Sequence, residues 1–385
     1  MPTLTGLDVL LNEQRRFLKN QRVGLITNPT GITRAGQSNT EALREIGVNL
    51  VALFSPEHGL DAAVADAQPV PSRRDARTGL PVHSLYGDTR RPTAEMLGGM
   101  DTLLFDLQDV GARFYTFTTT LALALAACAE NRLRLIVLDR PNPIGGSLIE
   151  GPMLSSALQS FIGHGPLPIR YGMTIGELAQ FYNRELNIGA ELAVVTLQGW
   201  ARGMWFDETG LLWPPPSPGI PHWTTTIAYP GMCLIEGTNV SEGRGTPLPF
   251  ETAGAPWLDG YALAEALNAQ RDDGVHWLPM TFVPDGGRHA GQVCGGVQIH
   301  VTDREAFRPV MVGLRLIAAC RAQNPAHFEF LSTSWEGPAP HLDLLTGTPR
   351  AREAIENEES LVLLAKEWES ELARFQETRN KYLLY

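Results

Sequence analysis

One segment of the chain, residues 236–246, alternates glycine with charged and amide residues. Glycine permits positive φ and close backbone approach at an entropic cost. Polar side chains on a loop that a rigid scaffold holds are well placed to bind a polar ligand, and here these are Asn239, Glu242 and Arg244. A solvated surface loop is the alternative. The apolar residues 229–235 indicate that the loop emerges from a buried strand, which favours a binding site.

A second candidate for chemistry is Glu57, which follows the apolar residues 51–54 and precedes His58. A carboxyl group at the end of a buried strand, partly removed from water, can act as an acid or a base near neutral pH. A helix cap or a buried ion pair with an arginine is the alternative. We predict that Glu57 is catalytic and that His58 contacts the substrate.

Residues 106–116 form a further dense group of polar side chains. Asp109 and Arg113 would be neighbours on a helical turn, so an internal ion pair is one interpretation of these two. Tyr115 could donate a hydrogen bond to a ligand or line the core. We take Tyr115 and Asp109 as catalytic candidates, and Gln108 and Arg113 as binding candidates.

These groups lie where we expect the strands of one sheet to end. Strand patterns alternate with helix patterns at residues 23–27, 49–54, 102–105 and 135–138. Such alternation predicts a parallel sheet covered on both faces, whose ligands bind outside the carboxyl ends of the strands. Polar residues follow each strand, so the four ends should converge on one site. Asn28 and Asn142, after the first and last of these strands, are therefore predicted to bind substrate.

The pattern changes near residue 152. Thr174 and Glu177 have the spacing of a capping box at the start of a helix. Further helices are predicted near residues 260–268, 303–320 and 361–376, with strands near 192–197 and 292–301. We interpret residues 1–152 as an α/β domain and residues 153–385 as an α+β domain beside it. The second domain carries the glycine-rich loop and a Pro- and Trp-rich loop that contains Ser217.

Composition excludes several classes of protein. A net charge of −11 argues against nucleic acid or an anionic membrane as the main partner. The four cysteines have no metal-binding spacing and fit free thiols in a reducing compartment, although a disulfide stays open. No export signal begins the chain, so we expect a cytoplasmic protein unless a signal has been removed.

Known motifs for cofactors are absent from the sequence. The turn after the first strand lacks the GxGxxG pattern of dinucleotide sites, and no GxSxG, Walker or HExxH motif occurs. The nine histidines are scattered, so folding would have to assemble any metal site. No motif requires a metal or an organic cofactor.

Taken together, the motifs resemble those of the NamZ-type exo-β-N-acetylmuramidases. The resemblance runs nearly end to end, through residues 24–31, 54–59, 78–82, 106–116, 137–146, 172–178, 213–221, 229–250 and 381–385. It implies a Rossmann-like domain joined to a smaller α+β domain, with the active site in the cleft between them. It also implies release of N-acetylmuramic acid from the non-reducing ends of peptidoglycan fragments, in cell-wall turnover or recycling.

The glutamate of the family's Pro-Glu-His-Gly motif falls on Glu57, in agreement with the strand-end argument. The chain departs from the family pattern in two places. Leu60-Asp61-Ala62 follows Gly59, where the family usually has an aromatic residue, Arg and Gly. In the Pro-rich loop, Gly219 replaces the usual Asn.

The leading hypothesis is therefore hydrolysis of a β-linked terminal N-acetylmuramic acid. Glu57 would protonate the glycosidic oxygen, and the second group would be the substrate's acetamido group, Asp109 or Glu242. The lactyl carboxylate of the sugar calls for an arginine, for which we favour Arg244, with Asn239 on hydroxyl or amide groups. A non-catalytic muropeptide-binding protein and a hydrolase for another acidic amino sugar are the alternatives.

Overall fold

A seven-stranded sheet organises the first part of the molecule. The computed structural model describes residues 2–385, and it describes the side chains of all of these except residues 14–16. The strands are β1 (Arg22–Thr27), β2 (Asn49–Ser55), β3 (Arg73–Arg74), β4 (Pro81–Ser84), β5 (Thr102–Asp106), β6 (Arg134–Leu138) and β7 (Glu191–Val195). Their order is β3-β4-β2-β1-β5-β6-β7, and every pair is parallel except β3 with β4. The predicted α/β class with a parallel sheet is confirmed.

Helices cover both faces of this sheet. Alternate residues of each strand therefore pack into two different apolar clusters. On β5, Leu104 belongs to one apolar cluster, whereas Leu103 and Phe105 belong to the other. The helices of this part are α1 (Gly6–Val9), α2 (Asn39–Glu45), α3 (Ala94–Leu97), α4 (Phe117–Asn131) and α5 (Ile175–Glu185). Strands buried on both faces are continuous apolar runs, which is why the sequence revealed them.

Side chains cap the first turns of two of these helices, and the capping box predicted at Thr174 and Glu177 is confirmed. The Ser38 side chain accepts a hydrogen bond from the backbone of Glu41 at the start of α2. Thr174 and Glu177 form a reciprocal capping box at the start of α5. Each side chain thereby satisfies a backbone N–H that the first helical turn would leave without a partner.

The second part of the chain builds a three-stranded antiparallel sheet and the remaining helices. The strands are β8 (Thr252–Ala255), β9 (Val275–Phe282) and β10 (Cys294–Val301), in the order β8-β10-β9. The helices are α6 (Phe206–Thr209), α7 (Thr225–Met232), α8 (Gly260–Asn268), α9 (Pro309–Gln323), α10 (His341–Thr346), α11 (Arg350–Glu356) and α12 (Leu361–Arg379). One apolar cluster runs without a break from α4 and α5 into these elements.

Two sequence-based expectations need correction. Residues 229–235 were expected to be a strand, but they form the end of α7 and a 3-10 turn over Cys233–Gly237. A short run that is apolar on all sides carries no periodicity, so it cannot distinguish a buried helix from a buried strand. The helix expected from residue 303 begins instead at Pro309, whose fixed φ suits the first helical turn.

The predicted boundary at residue 152 divides the large sheet, since β7 lies beyond it and pairs with β6. We therefore infer that the first unit extends to the beginning of α7. None of the helices within residues 2–385 has the length and apolar character needed to cross a bilayer. In the same residues, no three His, Cys, Asp or Glu side chains come together as metal ligands would.

Candidate active site

A pocket of about 480 Å³ lies where the carboxyl ends of β2 and β5 face the loops of the second unit. Strand order reverses direction around β1, with β2 on one side and β5 on the other, and ligands of such sheets bind at this point. Both units contribute polar and aromatic lining, including Glu57, His58, Tyr86, Tyr115, Thr116, Ser217, Glu236, Glu242, Arg244, Arg288 and Trp335.

Glu57 is held firmly at the end of β2. Its side-chain oxygens accept hydrogen bonds from the Thr116 hydroxyl at 2.7 Å and from the Ala67 backbone N–H at 3.2 Å. The Tyr86 phenol lies beside the same carboxylate. Only 7% of Glu57 is exposed, so the pocket presents one oriented carboxyl group rather than a mobile one.

Three side chains shape the surroundings of Glu57: Tyr86, Arg90 and His58. Burial, and then the negative charge of Glu57, raise the pKa of Tyr86 well above its usual value, so this phenol stays protonated. Arg90 lies 5.0 Å from the centre of the Tyr86 ring and pairs with Glu336 of the second unit at 2.5 Å. His58, with φ of 70°, places Nδ1 2.8 Å from the carbonyl of Val64 and so closes the turn that carries Glu57.

Arg244 is surrounded by carboxylates. Its Nη1 donates to Glu236 and, at 3.1 Å, to Glu242, and its Nε lies 3.3 Å from Asp66. The guanidinium also stacks on Phe250, 4.6 Å from the ring centre. The charge of Arg244 is therefore balanced by carboxylates of the protein itself, so this guanidinium is poorly placed to bind an anionic group of a substrate.

The pKa of Glu242 is set by opposing effects of its surroundings. Burial raises the pKa of its carboxyl group to about 7, and the charge of Asp66 adds to this, whereas Arg288 opposes it. A carboxyl group with a pKa near neutrality can gain or lose a proton under working conditions.

Arg288 is the second guanidinium of the pocket, and it differs from Arg244. Within the described residues it has no ion pair and no hydrogen bond, and its Nε is a buried donor without a partner. Burial lowers its pKa more than the charge of Glu242 raises it. The loop that carries it is fixed, because the Asp285 N–H donates to the carbonyl of Gly245 at 2.7 Å.

Trp335 supplies an aromatic face to the pocket. Its side chain is 50% exposed, and its ring centre lies 4.1 Å from that of the buried His341. Burial, and then the charge of Arg288, lower the pKa of His341 to about 4, so His341 is neutral at neutral pH. Half-exposed tryptophan beside polar groups is suited to a ring with one apolar face, such as a sugar.

Tyr115 and Ser217, both predicted site residues, line the pocket together. The Tyr115 ring packs edge-on against Phe117 and Tyr229, with ring centres 4.8 Å and 5.9 Å away. Its hydroxyl lies next to Ser217, and burial raises its pKa well above the usual value. The side-chain amide of Asn28 donates to the carbonyl of Pro216 at 3.3 Å and so helps to hold the backbone next to Ser217.

Six predicted site residues lie outside the pocket lining, where they hold the backbone: Asn28, Gln108, Asp109, Arg113, Asn142 and Asn239. The amide of Gln108 donates to the carbonyls of Asp109 and Pro141, and that of Asn142 donates to Met173. The amide of Asn239 donates to the carbonyl of His327. The positions of these side chains give no support to direct contact with a substrate.

Asp109 and Arg113 do not pair with each other among the described residues. Asp109 accepts hydrogen bonds from the Tyr171 hydroxyl and from the N–H of Gly111. Arg113 is fully buried and donates to three backbone carbonyls. The chain between the two residues does not form the helical turn that the ion pair needed, since α4 begins only at Phe117.

The two departures from the family pattern have different settings. At Gly219, an added Cβ would lie 3.1 Å from the Phe250 ring and 3.8 Å from Nε of Arg244, so these side chains fill the space beside it. Asp61 forms an ion pair with Arg73 in which both side chains are exposed, outside the pocket lining.

Sequence reasoning did not single out several lining residues, among them Asp66, Tyr86, Thr116, Glu236, Arg288 and Trp335. Arg288 follows Gly286 and Gly287, a second stretch in which glycine meets a cation, and this resemblance to residues 236–246 was a usable signal. Tyr86 and Trp335 carried none, because an isolated aromatic residue in a loop has no pattern to mark it.

The chain is similar to known proteins over nearly its whole length. The family model described as exo-beta-N-acetylmuramidase NamZ, N-terminal, matches residues 23–224, and its C-terminal counterpart matches residues 227–385. The chain is 46% identical over 382 residues to peptidoglycan beta-N-acetylmuramidase NamZ of Bacillus subtilis (strain 168), covering 99% of this chain and 91% of that protein.

Two crystal structures of DUF1343 family proteins from Bacteroides fragilis are also similar. One has a TM-score of 0.91 at 36% identity and the other 0.81 at 29% identity. Each comparison covers 100% of this chain and 99% of the other.

Proposed function

Because the chain belongs to the NamZ family of exo-β-N-acetylmuramidases, we propose that its pocket holds the terminal N-acetylmuramic acid and that Glu57 protonates the leaving oxygen. The chain is a glycoside hydrolase that releases N-acetylmuramic acid from the non-reducing end of peptidoglycan fragments. Family membership favours this activity over the two alternatives, a non-catalytic muropeptide-binding protein and a hydrolase for another amino sugar.

The observation that carries the role of Glu57 is its orientation. It lies at the carboxyl end of β2, faces the pocket, and is fixed by hydrogen bonds from Thr116 and Ala67. General acid catalysis needs the acid within hydrogen-bond reach of one particular atom, so a fixed carboxyl group is an advantage. Its proton goes to the glycosidic oxygen as the bond to the sugar breaks, and positive charge develops on the ring.

A second group must then supply the nucleophile or activate water. Asp109 lies outside the pocket lining, which leaves Glu242 as the favoured carboxyl candidate beside the substrate's own acetamido group. We propose Glu242 because it lines the pocket, and because a carboxyl group with a pKa of about 7 is mostly a carboxylate above that pH. In this role it must be deprotonated when Glu57 is protonated.

The sugar ring itself needs contacts that do not react. Trp335 offers an aromatic face, and the hydroxyls of Tyr115 and Ser217 offer hydrogen bonds to hydroxyl or acetamido groups. We propose that these three residues orient the ring so that its glycosidic oxygen meets Glu57.

The test is hydrolysis of a chromogenic β-N-acetylmuramide by the wild-type protein and by Glu57→Gln. We expect a loss on the order of 1,000-fold in kcat, because a positioned acid contributes about 10²–10⁴-fold. Asp109→Asn is the matched control, since it makes the same change from carboxyl to amide outside the pocket, and it should retain cleavage. Near-normal turnover by a well-folded Glu57→Gln protein would rule out this role.

The compartment in which the protein acts is a further proposal. All four cysteines are buried free thiols. Free thiols persist in reducing surroundings, so we propose that the protein works in the cytoplasm.

A further inference from the structure

We propose that Arg288 binds the lactyl carboxylate of N-acetylmuramic acid and thereby makes the pocket selective for muramides over glucosaminides. This inference rests on the proposed function of the pocket. N-acetylmuramic acid differs from N-acetylglucosamine by one lactyl ether, which ends in a carboxylate. A guanidinium is the side chain best suited to that group, because it can donate two parallel hydrogen bonds to the two oxygens.

Among the described side chains, two guanidinium groups line the pocket, and one of them already has carboxylate partners. Arg244 donates to Glu236 and Glu242, approaches Asp66 at 3.3 Å, and stacks on Phe250. A substrate carboxylate could reach Arg244 only by displacing one of these partners or by adding a further negative charge beside them. The expectation that Arg244 recognises the lactyl group therefore loses its support.

Arg288 has the opposite setting. No carboxylate among the described residues lies within ion-pair distance of it, and its buried Nε has no hydrogen-bond partner. A buried donor without a partner costs free energy, so a ligand that enters the pocket and accepts from this donor recovers that free energy. Arginine stays protonated under all working conditions, so the missing partner is an acceptor, and most favourably an anion.

The backbone around Arg288 is built to hold it in place. Gly245 and Gly286 approach so closely that a Cβ on Gly245 would lie 2.4 Å from the backbone nitrogen and oxygen of Gly286. On either side, the Asp285 N–H donates to the carbonyl of Gly245, and Nε2 of His289 lies 2.8 Å from the carbonyl of Asn239. The glycine-rich loop thus anchors the loop of Arg288 at both ends.

The charges around Arg288 also explain why its guanidinium lines the pocket without forming an ion pair with Glu242. Glu242 is near enough for its charge to raise the pKa of Arg288, yet it does not approach within 4.0 Å. Arg244 keeps Glu242 on its own side through a contact of 3.1 Å. Arg288 is thereby left for a carboxylate that arrives with the substrate.

The experiment compares three ligands on four proteins. The substrates are a chromogenic β-N-acetylmuramide, the same compound with its lactyl carboxylate as a methyl ester, and the matching N-acetylglucosaminide. The proteins are wild type, Arg288→Gln, Arg288→Lys and Arg244→Gln. Rates give kcat and KM separately, and thermal unfolding reports whether each variant is folded.

For Arg288→Gln we expect kcat/KM on the free acid to fall on the order of 50-fold, mostly through KM, because one charge-assisted pair is lost. On the methyl ester and the glucosaminide the change should be small, so the preference for the acid over the ester collapses. Arg288→Lys should lie in between, since it keeps the charge without the planar fork. Arg244→Gln should impair all three substrates alike.

An unchanged preference for the acid in Arg288→Gln, or a loss of that preference in Arg244→Gln, would overturn the assignment. If Arg288→Gln does not fold, Arg288→Lys decides in the same way. A failure of the proposed function is visible separately, as a wild-type protein that cleaves none of the substrates. In that case, calorimetric binding of N-acetylmuramic acid and its methyl ester to wild type and Arg288→Gln tests the same preference without turnover.

Discussion

Asp66 lies 3.3 Å from Nε of Arg244, and this ion pair joins the loop after β2 to the glycine-rich loop of the second unit. The neighbouring Ala67 donates its N–H to Glu57. One short segment therefore contacts both the proposed acid and Arg244, so a substitution of Asp66 should change the rate of hydrolysis or its pH dependence.

The first prediction concerns the pH dependence of hydrolysis. Glu242, with a pKa of about 7, must be a carboxylate in its proposed role, so kcat/KM should fall as the pH drops through that value. The charge of Asp66 contributes to raising this pKa, and Arg288 lowers it. Asp66→Asn should therefore lower the pKa of Glu242 and shift this limb of the pH profile to lower pH.

The measurement is kcat/KM for the muramide across the pH range from about 5 to 9, with Asp61→Asn as the matched control. Asp61 is in the same loop, but it pairs with Arg73 at the surface, where solvent screens its charge. Its loss should leave the profile in place. A limb that stays fixed in Asp66→Asn, or that moves to higher pH, would contradict the assignment of this ionisation to Glu242.

A second prediction concerns the contact between two loops. Gly245→Ala places a Cβ 2.4 Å from the backbone of Gly286 at a residue whose φ is 75°. Gly79→Ala is the matched control, because Gly79 has φ of 72° and no atom within 4 Å of an added Cβ. Each substitution should cost about 1–2 kcal/mol for the positive φ, and Gly245→Ala should cost more through the clash.

Denaturant unfolding measures the two losses, and hydrolysis of the muramide and its methyl ester measures the consequence for the site. Because the clash moves the loop of Arg288, Gly245→Ala should also weaken the preference for the free acid. Equal losses of stability in the two variants would show that the loops do not depend on this close approach.

A third prediction follows from the departure at Ala62, where the family usually has Gly. Ala62 has φ of 49°, which a side chain disfavours. Ala62→Gly should therefore raise the free energy of unfolding by about 0.5–1 kcal/mol, after the entropic cost of glycine is subtracted. Ala63→Gly in the same loop has no positive φ to relieve and should be destabilising. Chemical denaturation of both variants checks the sign, and a loss in Ala62→Gly would contradict it.

A fourth prediction concerns the last residue of the chain. The Tyr385 hydroxyl donates to the buried Asp139 at 2.7 Å and accepts from the N–H of Leu197 at 2.7 Å. Tyr385→Phe keeps the ring against Trp200, but it removes one of the hydrogen bonds to Asp139 and leaves the Leu197 N–H without a partner, so stability should fall by about 1–3 kcal/mol.

Tyr382→Phe is the control for this change, because its hydroxyl contacts Glu185 at an exposed position. Water can replace that contact, so its loss should be smaller. Thermal unfolding compares the two, and KM for the muramide should change in neither. A larger loss in Tyr382→Phe would show that burial does not set the strength of these contacts.

Much of the large sheet could be predicted from the sequence. The strands at residues 23–27, 49–54, 102–105 and 135–138 were found within a residue or so of their observed ends. Each is an apolar run followed by polar residues, a pattern that strands buried on both faces produce. The end of α7 was mistaken for a strand. Its apolar run, which contains Pro230 and Gly231, shows neither the 3.6-residue period of a helix nor the two-residue period of a strand.

The site was only partly predictable, for a different reason. Polar residues follow all four strands, yet Asp106 and Arg140 pair with each other at 2.7 Å. Asp139 accepts hydrogen bonds from the hydroxyls of Thr174 and Tyr385. The sequence shows which polar groups reach one edge of the sheet, but their pairing depends on residues far along the chain.

The choice between two arginines illustrates the same limit. Arg244 and Arg288 both stand beside glycine, and nothing in their local sequence says which will be neutralised. Only in the folded chain do three carboxylates, from Asp66, Glu236 and Glu242, form ion pairs with Arg244 and balance its charge.

The excess of carboxyl groups in the pocket has a consequence for how fast a substrate arrives. Within the described part of the chain, four carboxyl groups line it, those of Glu57, Asp66, Glu236 and Glu242, against two guanidinium groups. The whole chain carries a net charge of −11, and N-acetylmuramic acid is an anion. Long-range repulsion therefore slows the encounter, while Arg288 attracts only at short range. Added salt, which reduces the screening length to about 10 Å at 0.1 M, should speed capture of the free acid and leave that of a neutral ester unchanged.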